Sequence, residues 1–288
     1  MPDAFTFAIG DETLVGHLYK PAGAVRAIAV LTGPLTSVKE QATGQWAKAL
    51  SANGIAAIAF DHRYFGQSGG LPRQLENPEA KIADIRAALA ALREKTSWGG
   101  LPALAVGICA GAGYMAQCVA REPGFRAFIA IAGYYSEVTL ADRETMTPMR
   151  ERALHAQRRW ELTGVAETIP AVGPDNGDVA MPLSEAYAYY GTSRGAVPNY
   201  TNGFAVQSRV HTLDFDALSA AKNIEVPTLL IHSERALAPS LARRFQGDLN
   251  DVTAKWLASQ GQIDFYDDPD LIQEGIGHMQ KFLAVQEI

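Results

Sequence analysis

The sequence predicts an α/β protein with a mostly parallel central sheet, helices on both faces of that sheet and a helical insertion in its second half. Short uninterrupted apolar runs alternate with longer stretches of helical periodicity, as expected of parallel strands that are buried on both faces. The alternation stops between Gly133 and Asn223, where helix-like pieces are separated by loops that contain proline and glycine. A chain of 288 residues with 48% hydrophobic content is expected to bury one large core.

The strands are predicted from an N-terminal hairpin and six later apolar runs, at residues 5–8, 13–19, 27–31, 55–60, 103–106, 127–132, 228–231 and 254–258. Helical spacing predicts helices at residues 37–52, 78–95, 110–121, 238–248 and 268–285.

The insertion is predicted to form a cap, with helices at residues 141–162 and 184–190. Long insertions in compact domains are usually functional, and one that follows a strand would lie over the crevice where α/β proteins bind ligands. We therefore expect a core of residues 1–133 and 224–288 and a cap of residues 134–223.

Charge and composition exclude several functions. The net charge of -6 disfavours nucleic acid and anionic membranes, which bind clustered positive charge, so a small-molecule substrate is expected. No segment approaches the roughly 18 apolar residues of a membrane helix, and no leader pattern is visible, so a cytoplasmic protein is expected. Without a CxxC pair or an HExxH box, we expect no metal and no cofactor. A homodimer is the base-rate expectation.

The turn at Cys109 carries the strongest chemical signal. Gly107-Ile-Cys-Ala-Gly111 follows an apolar strand and precedes a helix, which is the cysteine form of a nucleophile elbow. The flanking glycines let strand and helix approach closely, and the helix N-terminus favours a thiolate. The other cysteine, Cys118, lies nine residues on in the same predicted helix, so a disulfide is not expected.

The chain resembles bacterial α/β-hydrolases related to dienelactone hydrolase and to X-Pro dipeptidyl-peptidases. The residues that carry the resemblance are Lys39-Glu-Gln41, residues 60–70 (FDHRYFGQSGG), residues 107–114 (GICAGAGY) and residues 263–267 (IDFYD). The resemblance implies the α/β-hydrolase fold, a nucleophile at Cys109, an acid after a later strand and a histidine after the last strand. It also implies an oxyanion hole formed by the N–H groups of Ala110 and Leu35.

The triad pattern fails at two positions. Ala236 and Leu237 stand where the acid is expected, so Glu234 is the nearest carboxylate, with Glu137 after the preceding strand as a second candidate. Gln262 stands where the histidine is expected, and glutamine cannot accept and return a proton near neutral pH.

Neither of two other histidines is favoured as the base. His278 is in a helical pattern well past the last strand. His62 follows a strand end at the border of the crevice, and a structural role in that turn is favoured for it. Asp61 and Arg63 are expected to fix that turn by hydrogen bonds. Lys39 and Glu40 are expected to form a local pair at a helix start.

The pocket is predicted to be partly apolar. Tyr114, Tyr134 and Tyr135 are expected to approach its floor, with His62 at its border. Most aromatic residues of the cap are expected to pack it onto the core (Trp160, Tyr187, Tyr189, Tyr190 and Tyr200).

Three functions remain open on the sequence. The first is a Cys109-dependent enzyme that acts on an ester, lactone or thioester. The second is a non-hydrolytic enzyme on the same scaffold, such as a cyclase, isomerase, lyase or acyl transferase, which would tolerate Gln262. The third is a binding protein that has kept the pocket but lost catalysis.

Overall fold

The computed structural model describes residues 1–139, 144–175 and 177–288. Within these ranges, eight strands form one mostly parallel sheet. Their bounds are β1 Asp3–Ile9, β2 Glu12–Tyr19, β3 Ala27–Thr32, β4 Ile55–Phe60, β5 Ala103–Ile108, β6 Ala127–Ile131, β9 Thr228–His232 and β10 Val252–Trp256. A separate two-stranded ribbon consists of β7 Thr168–Ile169 and β8 Phe204–Ala205.

The strand order of the large sheet is β1-β2-β4-β3-β5-β6-β9-β10. β1 and β2 pair antiparallel at one edge, and from β4 onward each neighbouring pair is parallel. Every residue of β3, β4, β5 and β6 is buried, because helices cover both faces there. The predicted fold class is confirmed, and β5, which leads to Cys109, lies in the middle of the sheet.

Helices connect the strands and pack on both faces. Their bounds are α1 Ala42–Ser51, α2 Pro78–Lys95, α3 Ala110–Arg121, α4 Thr147–Thr163, α5 Ser184–Tyr190, α6 Arg209–Thr212, α7 Pro239–Asp248, α8 Asp264–Asp267 and α9 Pro269–Val285. Proline at the first position fixes the starts of α2 and α9, where the side chains of Asn77 and Asp268 accept backbone N–H groups. The predicted starts of these helices fall within one residue of the observed ones.

The start of α1 differs from the prediction by five residues. Residues 37–41 are not helical, because Lys39 binds buried Asp61 at the end of β4. Its carboxylate accepts both the backbone N–H and the ammonium group of Lys39, each at 2.8 Å. The ammonium also contacts Glu40 and donates to Gln67, so the pair predicted between Lys39 and Glu40 is one part of a larger buried network.

The predicted cap segment lies between β6 and β9 and holds α4, α5, α6 and the β7–β8 ribbon. Its first predicted helix began at residue 141; residues 140–143 lie outside the described part of the chain, and α4 runs over Thr147–Thr163. The second, Ser184–Tyr190, has the predicted bounds. The division of the chain into core and cap domains stays a prediction.

The described residues contain neither a membrane-spanning helix nor a cluster of metal ligands. No helix there has the length and apolar character needed to cross a membrane. Within the same ranges, no group of three or more histidine, cysteine and acidic side chains is arranged to hold a metal ion.

Candidate active site

Cys109 occupies a strained turn between β5 and α3. Its backbone has φ 56° and ψ -126°, a conformation that side-chain-bearing residues adopt rarely and mostly at functional sites. Three backbone hydrogen bonds hold it there: its N–H donates to Ile131, and its carbonyl accepts from Ala112 and Tyr134 at 3.0 and 2.9 Å. The neighbouring strand and helix therefore fix the direction of the side chain.

The flanking glycines permit this turn. A methyl group on Gly107 would lie 2.5 Å from the Cα atom of Ala112. One on Gly111 would lie 2.6 Å from the carbonyl oxygen of Gly33 and would overlap that of Thr32. The role predicted for the two glycines, close approach of strand and helix, is thus present in the structure.

The sulfur of Cys109 lies among hydrogen-bond donors in a buried site. The hydroxyl of Tyr266, the N–H of Ala110 and the side chain of Gln262 lie near it as donors and favour the thiolate. Burial has the larger effect, and the pKa of the Cys109 thiol is raised above its usual value. The helix N-terminus was expected to favour a thiolate here, but desolvation of the charged form outweighs it and the nearby donors.

Gln262 reaches Cys109 from the loop after β10. Its side-chain amide donates to the carbonyl of Ala132 at 2.9 Å, and its side-chain oxygen accepts the backbone N–H of Leu237, also at 2.9 Å. A side-chain amide has two N–H groups, so one remains for the sulfur. In this arrangement a backbone N–H of the 233–237 loop bonds Gln262, where a triad would have a carboxylate bonded to a histidine.

The loop after β3 brings Leu35 to the cavity opposite Ala110. Both the N–H and the hydroxyl of Ser37 donate to the carbonyl of Pro34, which closes a tight turn. Thr36 has φ 60°, and its N–H donates to the carboxylate of Glu76. In the described residues no hydrogen bond uses the N–H of Leu35. This donor and the N–H of Ala110 remain the predicted pair for an oxyanion.

A buried ion pair supports this loop from below. One oxygen of the Glu76 carboxylate accepts the Tyr114 hydroxyl at 2.7 Å and lies 2.6 Å from the Lys81 ammonium. The other accepts the N–H of Thr36. Glu76 thus ties the oxyanion loop to α2 and α3. The ring of Tyr114 lines the cavity as predicted, but its hydroxyl is occupied by Glu76 instead of facing a ligand.

A cavity of about 570 Å³ opens between the sheet and the cap segment, within the range that small-molecule sites occupy. Its lining is mainly apolar, with residues from both regions (among them Leu35, Met149, Met181, Leu183, Leu213 and Phe215). Polar residues also line it (Cys109, Tyr114, Tyr134, Ser136, Glu137, Glu185, Tyr190, Arg209, Thr212, Gln262 and Tyr266). The hydroxyl of Tyr190 is buried without a hydrogen-bond partner in the described residues, so it is available to a ligand.

Glu185 is the carboxylate held beside Gln262. It is the second residue of α5, and its two oxygens each accept the backbone N–H of Gln262 at 3.0 Å. Glu185 is exposed to solvent on one side, but partial desolvation of its carboxyl by the cavity wall raises the pKa, opposed by hydrogen bonds from the N–H groups of Gln262 and Ile263. A methyl group on Gly261 would overlap this carboxylate, so alanine at that position would displace the Glu185 side chain.

The structure does not bring the two carboxylates proposed from the sequence to Cys109. Glu234 is exposed on the surface, where it pairs with Arg243, because its loop turns outward after β9. Glu137 lies at the outer wall of the cavity and is paired with Arg244.

Two residues assigned to substrate binding are also corrected. The His62 ring is buried between Thr32 and Asp84, at 2.8 and 3.2 Å, and does not line the cavity; burial lowers its pKa. Tyr135 turns away from the cavity and stacks on Phe245 with ring centroids 3.8 Å apart. Tyr134 does line the cavity.

The expected loop-fixing roles of Asp61 and Arg63 are present. Arg63 donates to the carboxylate of Asp84 and to the carbonyl of Ala80. All six histidines lie in the described ranges, and none of them lines the cavity. His278 is on α9 beside Glu274, away from Cys109.

Comparison with known proteins assigns the family. Residues 39–256, which include the elbow and most of the sheet, match the family model described as serine aminopeptidase, S33. This chain is an α/β-hydrolase of the S33 family. Cys109 is at the elbow of this α/β-hydrolase, in a family whose description names a serine.

Two bacterial relatives match much of the chain. The uncharacterized protein YcjY of Escherichia coli K12 is 27% identical over 88% of this chain and 86% of its own length. The uncharacterized protein PA2218 of Pseudomonas aeruginosa is 30% identical over 78% of this chain and 64% of its own length.

Solved structures show the same fold. The α/β-hydrolase GrgF of Penicillium sp. sh18 superposes with a TM-score of 0.84 at 19% identity, and 99% of each chain is covered. The structure of PA2218 gives a TM-score of 0.81 at 24% identity, covering 98% of this chain and 94% of the other. At these identities the structural comparisons establish the fold of this α/β-hydrolase and nothing finer.

Three functional groups were missed on the sequence. Tyr266 lies four residues after Gln262, in the short helix α8. This helix was not recognised on the sequence as the element that turns Tyr266 toward Cys109. Glu76 precedes α2 in a loop without a motif. Glu185 is separated from Gln262 by 77 residues, and no local pattern indicates that the two meet.

Proposed function

We propose that this α/β-hydrolase transfers the acyl group of an ester, lactone or thioester to Cys109 and then releases it. The observation that carries the proposal is the strained elbow, which places Cys109 at the wall of a mainly apolar cavity that Ala110 and Leu35 also line. Membership of a hydrolase family supports the same type of chemistry. The finer resemblance to dienelactone hydrolases and X-Pro dipeptidyl-peptidases remains part of this proposal.

The acylation step needs a nucleophile, an electrophile and a place for charge. The sulfur attacks the carbonyl carbon, and the developing oxyanion accepts hydrogen bonds from Ala110 and Leu35. The C–O or C–S bond to the leaving group then breaks, and the leaving group takes the proton that the thiol lost. Tyr266 and Gln262 stabilise the transient thiolate through the hydrogen bonds that they make to sulfur.

The cavity favours substrates with a compact apolar acyl part. Met149, Met181, Leu183 and Phe215 line it, and thioether side chains adapt to ligands of varied shape. We propose thioesters as the preferred substrates. A buried thiol of raised pKa is acylated more readily when the substrate carries a good leaving group, such as the thiol of a thioester.

Release of thiol from a series of acyl thioesters tests the proposal. We expect an initial burst of about one equivalent of thiol per enzyme, with no burst in Cys109→Ala. Cys118→Ala is the matched control. Cys118 is buried in α3, the helix that follows Cys109, and desolvation raises its pKa to about 12. A burst that survives Cys109→Ala would overturn the proposal.

A second candidate is a non-hydrolytic acyl transfer, such as a cyclisation. The observation in its favour is that Gln262 occupies the base position and that none of the six histidines lines the cavity. Product analysis separates the two: hydrolysis yields the free acid, whereas transfer yields a new ester or lactone. If thioester binds without any acyl transfer, the pocket belongs to a binding protein.

A further inference from the structure

We propose that Glu185, supplied by the cap segment, is the general base that activates water for release of the acyl group from Cys109. This inference rests on the proposed acylation of Cys109. It assigns the proton-accepting role, which Gln262 cannot perform, to a residue far from the expected histidine in sequence.

The position of Glu185 is fixed by the loop that carries Gln262. Each carboxylate oxygen accepts the Gln262 N–H at 3.0 Å, while the side chain of the same glutamine lies beside the Cys109 sulfur. One residue therefore separates the carboxylate from the nucleophile. Both groups line the same cavity, so a water molecule that attacks an acyl group on Cys109 has this carboxylate in its neighbourhood.

The charge around Glu185 leaves the carboxylate available as a base. It makes no ion pair with any described cation, unlike Glu234 and Glu137, whose arginine partners occupy their oxygens. The charged groups that face it are Asp264, which raises its pKa, and Arg194, which lowers it; burial is the largest influence and raises it. A carboxyl whose pKa is shifted toward neutrality is a better general base than an ordinary glutamate.

Release of the acyl group consumes one water molecule. Water attacks the acyl carbon of the thioester and passes one proton to the Glu185 carboxylate, which gives a tetrahedral oxyanion at the Ala110 and Leu35 N–H groups. The C–S bond breaks, its electron pair returns to sulfur, and the proton on Glu185 restores the Cys109 thiol. The products are the free acid and the enzyme in its starting state.

The decisive variant is Glu185→Gln, which keeps an oxygen to accept the Gln262 N–H but cannot take a proton. We expect a full burst of thiol at a rate within about twofold of the wild type, followed by turnover slower by about 10² or more, the usual contribution of a general base. The acyl-enzyme should then accumulate and be visible as added mass. Glu151→Gln, an exposed substitution in α4, is the matched control and should behave as wild type.

A second variant keeps the test valid if Glu185→Gln unfolds. Gly261→Ala retains the carboxylate but displaces it, and should give the same full burst and slow release. Hydroxylamine attacks thioesters without a base, so it should discharge the accumulated acyl group equally fast in both variants and in the wild type. In wild type, the release rate should also rise with pH through a pKa above that of an ordinary glutamate, and this dependence should vanish in Glu185→Gln.

Each result has one meaning. Slow release with an intact burst supports Glu185 as the base. An unchanged release rate in Glu185→Gln overturns the role of Glu185 and leaves Cys109 as the nucleophile. Thioester turnover that proceeds undiminished in Cys109→Ala overturns the proposed function, and the role of Glu185 fails with it.

Discussion

Replacing Gly111 by alanine places a methyl group between α3 and the end of β3. That methyl group would lie 2.6 Å from the Gly33 oxygen and would overlap the Thr32 oxygen, and both are backbone atoms that cannot rotate away. Overpacking of a core costs about 1–3 kcal/mol, and rigid backbone neighbours put this site at the upper end. With an unfolding entropy of about 2.1 cal/mol/K per residue, about 3 kcal/mol lowers the Tm of this chain by about 5 °C.

The same substitution should also impair acylation. Thr32 and Gly33 lead directly into the loop that carries Leu35, so a shift of their carbonyl groups moves one of the two oxyanion donors. Loss of such a donor costs about 10²–10³ in rate, and the burst of thiol release should slow accordingly.

A glycine in open space provides the control. Gly277 lies within α9 with no atom within 4 Å of an added methyl group. Gly277→Ala should raise the free energy of unfolding by about 0.5–1 kcal/mol, since glycine is the poorer helix former, and should leave the burst unchanged. Calorimetry and stopped-flow thiol release measure both effects. If Gly111→Ala matches Gly277→Ala in Tm and in burst rate, the close packing inferred at the elbow is wrong.

Two further results are expected. Asp61→Asn should lower the free energy of unfolding, measured by urea titration, by about 3 kcal/mol. The reason is that the buried Lys39 ammonium keeps only Glu40 as a charged partner. A change under about 0.5 kcal/mol would contradict the network. The rate at which iodoacetamide alkylates Cys109 should be lower at pH 7.5 than for free cysteine and should keep rising beyond about pH 9. Burial raises the thiol pKa and so reduces the thiolate fraction at neutral pH. A rate that reaches a plateau below about pH 8 would contradict this expectation.

Much of the fold was predictable because its signals are local. The buried strands read as continuous apolar runs, and the glycines around Cys109 mark a turn that needs close backbone approach. The wrong start of α1 has a nonlocal cause: residues 37–41 have helical spacing, but Asp61, just after β4, accepts the Lys39 N–H.

The candidate site was predictable only in part for the same reason. Cys109, Ala110, Leu35 and Gln262 were found through the order of motifs along the chain, and the structure brings them together. Glu185 was not found, because its contact with Gln262 depends on how the insertion folds back over the sheet.

Two residues that follow strand ends were also misassigned. Tyr135 follows Tyr134 directly, yet consecutive residues after a strand point to opposite sides, so one lines the cavity and the other packs on Phe245. Glu234 was chosen as the nearest carboxylate in sequence, but the loop after β9 presents a backbone N–H to Gln262 instead, through Leu237.

The most direct test of Cys109 as the nucleophile is the intact mass of the protein after brief incubation with an acyl thioester, followed by peptide mapping of the adduct. Wild type, Cys118→Ala and Glu185→Gln should each gain the mass of one acyl group on the peptide that contains Cys109, with the largest occupancy in Glu185→Gln. Cys109→Ala should gain none. An acyl group mapped to another residue, or a thioester hydrolysed without any adduct in Glu185→Gln, would contradict covalent catalysis by Cys109.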